Sequence, residues 1–485
     1  MKLKKILFVF HRWLGIGMCL LFALWFASGI IMMYMEYPEF TEEERLKNLT
    51  ALNSSQILLS PFEASKSIAI ESAYTSVKLT TILNRPSYQL QAIDGMIYSV
   101  FADTGEAITE VTPKLAIMAV TQSGFVGAGT IPTYDSQVNL DQWSISAALN
   151  QFRPLHRIDV NDTEGTTLYV SNKSGQIVLD TNRLERFWNW LGSTIHWIYP
   201  VQLRKNAPLW NQVIIYVSII GIISVITGGI IGLMQMHIRN PYKWRNMSPY
   251  RGWMKWHHIL GVVTLVFVLT FIFSGLMSVG PWGIFNSSVS PQLQINRYTG
   301  GSTLRLVDLP FPDFENIIEP AKEVEWHKIK NISYFSITKS YQHKEVRFPE
   351  SADQIKPLSL LELISNAVPS LIPDAKLLSF ELITNPDNYY YSRHNNYRPF
   401  PVYRAKFSDR ESTWFHIDQE TGEIVTRVTD ASRRERWLFN GLHSLDFQFL
   451  IRNRPLWDVI VILLSIIGFG FSLTSIVIGW RRLVK

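Results

Sequence analysis

Four stretches of the 485-residue chain carry no Asp, Glu, Lys or Arg: 13–35, 206–238, 256–296 and 459–480. Each can hold the roughly 20 apolar residues that a bilayer-crossing helix needs. In the third stretch Gly280–Pro281 is where the helix should end. The pattern predicts four transmembrane helices, near 12–35, 209–236, 256–280 and 457–480. The two long segments between them, about 36–208 and 281–456, alternate apolar and polar positions. In the first, "SPFEASKSIAIESAY" has helical character, and "VKLTTIL", "SYQLQAI" and "MIYSVFA" follow as strands, with a turn at Asp103-Thr104-Gly105. A second helix-then-strands pattern runs from Pro113 to Val178, and another from Pro357 to Val425. These patterns predict small α+β units.

The chain opens on "MKLKKILFVFHRWLGIGM", basic and then apolar, like a secretory signal. A signal core spans about 7–15 apolar residues and ends in a small-residue cleavage site. Here 23 residues without charge separate Arg12 from Glu36, they end in "IIMMYM", and no A-x-A-like site follows. A retained helix is expected.

The pattern also repeats. A shift of 247 residues pairs Pro154 with Pro401, Arg157 with Arg404, Gly175 with Gly422, Trp190 with Trp437 and His196 with His443. It continues into "NAPLW" (206–210) and "NRPLW" (453–457). A shift of 246 pairs His11 with His257, Gly15 with Gly261, and Ser28-Gly29 with Ser274-Gly275. Both copies run helix, inter-helix segment, helix, and so enter the membrane in the same direction. Parallel repeats are normally related by an axis along the membrane normal, and a site on that axis would draw matching residues from both halves.

Charge sets the orientation. Lys2, Lys4, Lys5 and Arg12 precede the first helix; Arg239, Lys243, Arg245, Arg251 and Lys255 lie between the second and third; Arg481, Arg482 and Lys485 follow the fourth. By the positive-inside rule these segments are cytoplasmic, and the two long segments lie outside. The formal net charge of +6 reflects this anchoring. No basic stripe with interleaved aromatics points to nucleic acid. The single cysteine, Cys19, excludes an intrachain disulfide, a C-x-x-C motif and an iron–sulfur cluster.

The candidate chemistry is in the eleven histidines. His11, His257 and His258 sit at the cytoplasmic ends of the first and third helices, His237 at that of the second, and His196 and His443 precede the second and fourth on the outer side. A lone interfacial histidine is ordinarily structural, but matched pairs at repeat-related positions point to function. Zinc requires about four tight ligands. Two facing imidazoles suit the axial positions of a b-type haem held between helices. Gly15, Met18, Phe22, Trp25 and Gly29 form one helical stripe below His11, with Gly261, Thr264, Val268, Phe271 and Gly275 as its counterpart. Such stripes also serve ordinary helix packing. Arg186 and Arg433 are candidate propionate partners, or solvated interfacial arginines. "GFVGAG" (124–129) lacks the strand–helix context of a nucleotide loop. The cytoplasmic segments are too short for a nicotinamide or flavin domain, so quinol or a separate reductase would donate electrons.

"HRWLGI…SG", the repeated "HHILGV…SG" and "GLHSLDF…RPLW" resemble the PepSY-associated transmembrane family. The inter-helix units resemble PepSY domains, ending in "DTGEAI" (103–108) and "ETGEIV" (420–425). The architecture is similar to FoxB-like inner-membrane reductases of ferric siderophores. The resemblance implies one or two haems b, with His11, His257, His196 and His443 as axial candidates and His258 and His237 in reserve. It leaves the pairing and the siderophore open.

The expected fold is a membrane protein, a bundle of four transmembrane helices in two parallel pseudo-repeats with two external α+β PepSY-like domains. The expected division is residues 1–35 (N-terminus and first helix), 36–183 (first periplasmic domain), 184–236 (interfacial helix and second helix), 237–255 (cytoplasmic loop), 256–280 (third helix), 281–430 (second periplasmic domain) and 431–485 (interfacial helix, fourth helix and tail). The expected setting is the bacterial inner membrane, both termini cytoplasmic, and the expected partners are lipid, a ferric siderophore and an electron donor, with no nucleic acid. A rival expectation is a membrane-anchored PepSY regulator or inhibitor of a protease, or a peptide-binding module, without redox activity. A transporter is disfavoured because the spans lack acidic residues and Pro-broken midplane helices.

Overall fold

A computed structural model describes residues 2–68, 74–127, 129–236, 248–312, 314, 320–348, 359–392 and 397–484. The chain divides into a helical unit (Met1–Tyr37, Phe187–Asn286, Ala431–Lys485) and a sheet unit (Pro38–Arg186, Ser287–Asp430).

Four helices of the helical unit are long and apolar enough to cross a membrane: α1 (Lys2–Met32), α2 (Ala207–Gln235), α3 (Trp253–Met277) and α4 (Arg454–Leu483). The charge-free runs located their apolar parts but not their ends. α1 begins ten residues before the expected start because nothing in "KLKKILFVFH" breaks a helix. α2 starts where the sequence signals it: the Asn206 side chain accepts from the Leu209 N–H, and proline stands in the first turn. α1 packs on α4 and α2, and α3 on α2 and α4, closing a four-helix bundle. Met18, Phe22, Phe26, Val268 and Ile272 fill its middle.

Before α2 and before α4, a short helix passes into a π-helical turn, at Trp190–Thr194 and at Arg436–Gly441. Such turns are rare and occur often at functional sites. His196 and His443 each follow two residues later.

The sheet unit is antiparallel throughout. The first inter-helix segment supplies β1 (Tyr74–Ile82), β2 (Arg85–Ala92), β3 (Ile97–Phe101), β4 (Ala107–Ile108), β5 (Thr133–Val138), β6 (Leu155–Asp159), β7 (Thr167–Ser171) and β8 (Ile177–Thr181). The second supplies β9 (Glu323–Ile329), β10 (Ile332–Ser340), β11 (His343–Arg347), β12 (Leu377–Ile383), β13 (Val402–Phe407), β14 (Trp414–Asp418) and β15 (Ile424–Val428). β5–β8 form one four-stranded sheet, backed by the helix Pro113–Thr121, and β12–β15 another, backed by Leu360–Ala367.

A seven-stranded sheet, in the order β11-β10-β9-β1-β2-β3-β4, takes strands from both segments. Its seam pairs Val77 with Trp326, Lys78 with Glu325 and Leu79 with Val324. Leu79, Tyr88, Leu90, Trp326, Phe335 and Ile337 share one core across that seam. Reading each segment as a domain of its own did not contain this shared sheet. Strand pairing between distant segments is a tertiary choice that alternation alone cannot reveal.

Candidate functional site

His196 and His443 are brought together in the helical unit. The imidazole centres of His196 and His443 lie 6.0 Å apart, with their planes crossing at 68°. Each ring is fixed by the helix beside it. His196 Nδ1 lies 3.1 Å from Ser28 Oγ and 3.1 Å from the Trp25 carbonyl. His443 Nδ1 lies 3.1 Å from Ser274 Oγ and 3.1 Å from the Phe271 carbonyl.

This network assigns the tautomer. The Ser28 hydroxyl proton goes to the Leu24 carbonyl at 2.6 Å, and that of Ser274 to the Thr270 carbonyl at 2.7 Å. A carbonyl oxygen only accepts, so each Nδ1 must carry the hydrogen and donate it. Each Nε2 then keeps its lone pair, and neither has a hydrogen-bond partner among the described residues. A glycine lies beside each ring: a Cβ on Gly29 would be in van der Waals contact with His196 Cε1 at 3.4 Å, and one on Gly275 with His443 Cε1 at 3.5 Å. Behind the rings, Trp210 Nε1 donates to the Trp197 carbonyl at 3.0 Å and Trp457 Nε1 to the Ser444 carbonyl at 2.8 Å. The tryptophans of "NAPLW" and "NRPLW" thus tie the turn after each histidine to its following helix.

His11 and His257 also make their contacts through Nδ1. His11 Nδ1 lies 3.1 Å from the Ser224 carbonyl and 3.3 Å from Thr227 Oγ1. His257 Nδ1 lies 3.2 Å from Thr474 Oγ1, whose proton goes to the Phe471 carbonyl at 2.6 Å. The Ser224 carbonyl only accepts, so His11 Nδ1 is a donor and its Nε2 holds the lone pair. His257 Nδ1 also lies 3.2 Å from the Ser475 hydroxyl, which can donate to it, and its Nε2 has no hydrogen-bond partner among the described residues. α2 lies so close to the His11 ring that a Cβ on Gly228 would sit 2.6 Å from His11 Cε1.

His258 contrasts with all four. Its Nε2 lies 2.8 Å from the Gly232 carbonyl, so Nε2 carries the hydrogen, and its Nδ1 faces Ser248 Oγ at 2.8 Å. Both nitrogens are occupied in tying α3 to α2 and to Ser248. His237 lies outside the described residues.

Arg186 is engaged within the sheet unit. Its guanidinium donates to the Thr181 hydroxyl at 2.8 Å and to the Gly165 carbonyl at 2.9 Å. Arg433 lies on the short helix Asp430–Glu435 in the helical unit. Arg436, which sequence reasoning passed over, begins the second π-helical turn and is 7% exposed. Its guanidinium donates to the Asp446 carbonyl. Ser28 and Ser274 were visible as repeat partners, but only the contacts give them a role. His156, whose counterpart at the 247-residue shift is Tyr403, is buried, with Nε2 2.6 Å from the Val111 carbonyl.

The stripe from Gly15 to Gly29 packs inward in part. Met18 and Phe22 enter the bundle core, and Trp25 Nε1 donates to the His196 carbonyl at 2.9 Å. Among the described residues no group of three or more His, Cys, Asp or Glu side chains is placed to hold a metal ion.

A metal between two imidazoles needs two nitrogen–metal bonds of roughly 2 Å and roughly 1 Å from each nitrogen to its ring centre, about 6 Å between centres. The His196–His443 separation and the two uncommitted Nε2 atoms fit that demand. The donor set is two neutral nitrogens, which suits a group that supplies its remaining ligands itself, as haem does.

Fold and site together define a polytopic helical membrane protein with paired histidines between its helices. The chain belongs to the family described as the PepSY-associated TM region, whose model matches residues 8–304, well over half its length. No curated protein matches it.

Proposed function

We propose that this chain is a haem-carrying inner-membrane oxidoreductase that passes electrons to a ferric siderophore on the periplasmic side. The observation that carries the reading is a shared pattern of contacts: His11, His196, His257 and His443 all make their hydrogen bonds through Nδ1 and leave Nε2 without one, while His258 uses both nitrogens. In this reading His196 and His443 hold one haem b, and His11 and His257 are the candidates for a second. The two halves act as parallel pseudo-repeats about an axis between the histidines of each pair. A haem held there supplies reversible one-electron iron chemistry. The chain's own groups orient the rings through Ser28 and Ser274 and surround them with apolar helix. Both termini are cytoplasmic in this reading, the sheet unit is periplasmic, and quinol or a separate reductase donates the electrons. Reduction releases the metal because siderophores favour hard Fe(III) over Fe(II).

The test is the absorption spectrum of the detergent-solubilised protein from haem-replete cells. A Soret band and dithionite-reduced α-bands are expected, together with loss of part of the haem in the His196→Ala/His443→Ala variant. A colourless protein would overturn the proposal.

A further inference from the structure

The N-terminal end of α2 carries a cluster that its repeat copy lacks. Tyr37, Trp197, Tyr199 and Trp210 pack together, with ring centroids 6.1 Å apart for Tyr37–Trp197, 5.4 Å for Trp197–Tyr199 and 5.2 Å for Tyr199–Trp210. Arg204, at the end of the short helix Val201–Arg204, lays its guanidinium over Tyr199 at 5.2 Å and over Trp210 at 4.9 Å. At the 247-residue shift Trp197 becomes Ser444, Tyr199 becomes Asp446 and Arg204 becomes Ile451, while Trp210 stays as Trp457. Trp210 and Trp457 both tie the preceding turn to the helix. The repeated fold therefore needs that tryptophan, and the rest of the cluster is particular to the first copy.

Charge separates the two copies as well. The second copy has its own arginine on the tryptophan, Arg454 over Trp457 at 5.2 Å, and Asp458 answers it at 3.4 Å. Asn211 stands where that acid would be. Arg204 has no ion-pair partner among the described residues, and its Nε is buried without a hydrogen-bond partner. Lys205 beside it is exposed. A guanidinium stacked on two rings keeps both its charge and its donors. With no counter-ion of its own, this one is free to take an anion from outside the chain.

Depth in the membrane identifies the anion. α2 has 29 residues, about 43 Å at 1.5 Å per residue, longer than the roughly 30 Å hydrocarbon core. Its first turn, the rings and Arg204 therefore stand at the headgroup level, where Trp and Tyr are enriched. The anions at that level are lipid phosphates. The guanidinium fork matches a phosphate's paired oxygens, and the rings offer an apolar face to the glycerol and the upper acyl chain. Two neighbouring cations favour a lipid of net negative charge.

We propose that Arg204 and Lys205, with the rings of Tyr37, Trp197 and Tyr199, form a binding site for the phosphate of an anionic phospholipid. The site does not rest on the haem reading. The second copy, with its arginine already neutralised by Asp458, is the non-binding counterpart.

Native mass spectrometry of the detergent-solubilised full-length protein tests this, with phosphatidylglycerol, phosphatidylcholine and inorganic phosphate as probes. Phosphatidylglycerol is expected to bind more tightly than phosphatidylcholine, and its affinity should fall about five-fold in Arg204→Gln, the loss of one cation at a membrane surface. Arg204→Lys keeps the charge but not the planar fork, and should fall less. Lys114→Gln, which removes an exposed charge from the sheet unit, should leave the affinity unchanged. Unfolding temperature checks that the variants fold, and Lys205→Gln, on an exposed side chain, carries the test if Arg204→Gln does not. Phosphatidylcholine bound as tightly as phosphatidylglycerol, equal affinity in wild type and the folded variant, an equal fall in Lys114→Gln, or inorganic phosphate bound as tightly as the lipid overturns the proposal.

Discussion

Ser28 and Ser274 show how single side chains decide what a histidine can do. Each spends its proton on its own helix and turns a lone pair toward an imidazole N–H. Groups that orient a metal-bound histidine typically carry 10–100-fold in metal affinity. If the pair holds haem as proposed, Ser28→Ala/Ser274→Ala should therefore keep the fold, since the carbonyls of Trp25 and Phe271 still accept, but lose haem faster on dilution. Haem retention through gel filtration measures this, and full retention would deny the serines the role.

A second residue-scale prediction concerns Asp180 on β8. Burial, and then the charges of Glu44 and Glu185, push its carboxyl up to about 7. A carboxyl whose folded pKa is raised holds its proton longer than the unfolded chain does, so stability falls as pH rises from about 4 to about 7. Asp180→Asn should unfold at a higher temperature than wild type at pH 8, and the gap should close toward pH 4. A gap independent of pH would contradict the assignment.

At the scale of elements, the junction that matters is β1 against β9. Arg45, on the helix Glu42–Asn48, reaches Glu323 on β9 through two hydrogen bonds of 2.6 Å. Burial alone would raise the Glu323 carboxyl, but Lys78 and Arg45 overcome it and hold it down at about 2. The stabilisation is present above the ordinary carboxylate range, about 4.5, and is lost as pH falls toward 2. Arg45→Ala leaves a nearly buried carboxylate with Lys78 at 3.6 Å as its remaining cation. Breaking such a pair costs about 3–5 kcal/mol. The variant should unfold at lower denaturant and begin acid unfolding at higher pH, read by the fluorescence of Trp326, which is buried in the same core. Unchanged acid unfolding would mean that the pair contributes nothing to the seam.

Sequence patterning was informative about elements wherever one face or one run sufficed. The strand in "VKLTTIL", the helix after Pro113, the turn at Gly175 and the four apolar helices were all legible, because each follows from local periodicity or from a residue with restricted backbone. The π-helical turns before His196 and His443 were not, since an α-helix and a π-helix differ by one backbone hydrogen bond that no residue type demands.

At the scale of the whole molecule, the chain crosses between its two units at 37/38, 186/187, 286/287 and 430/431. The sheet unit can close only when both inter-helix segments are present, because β9 covers β1 and their side chains share one core. Residues 38–186 made alone would expose the β1 edge and the apolar face behind it, an aggregation hazard. That fragment should be insoluble or self-associating, and co-expression with 287–430 should recover a soluble complex. A monomeric, cooperatively folding 38–186 fragment would show that the shared sheet is not required.

The sequence by itself determined the membrane character, the four spans, the repeat spacing and the histidines worth watching, since length, charge and periodicity act locally along the chain. The family resemblance read from "HRWLGI…SG" and its repeat agrees with the family match. Only the tertiary structure decided that His196 and His443 come within 6.0 Å, that His258 is tied at both nitrogens while four histidines are not, and that the two segments share one sheet. Those outcomes depend on which distant carbonyls, hydroxyls and strand edges meet. Such pairings are set by packing between elements far apart in the chain, and no single element's pattern carries them.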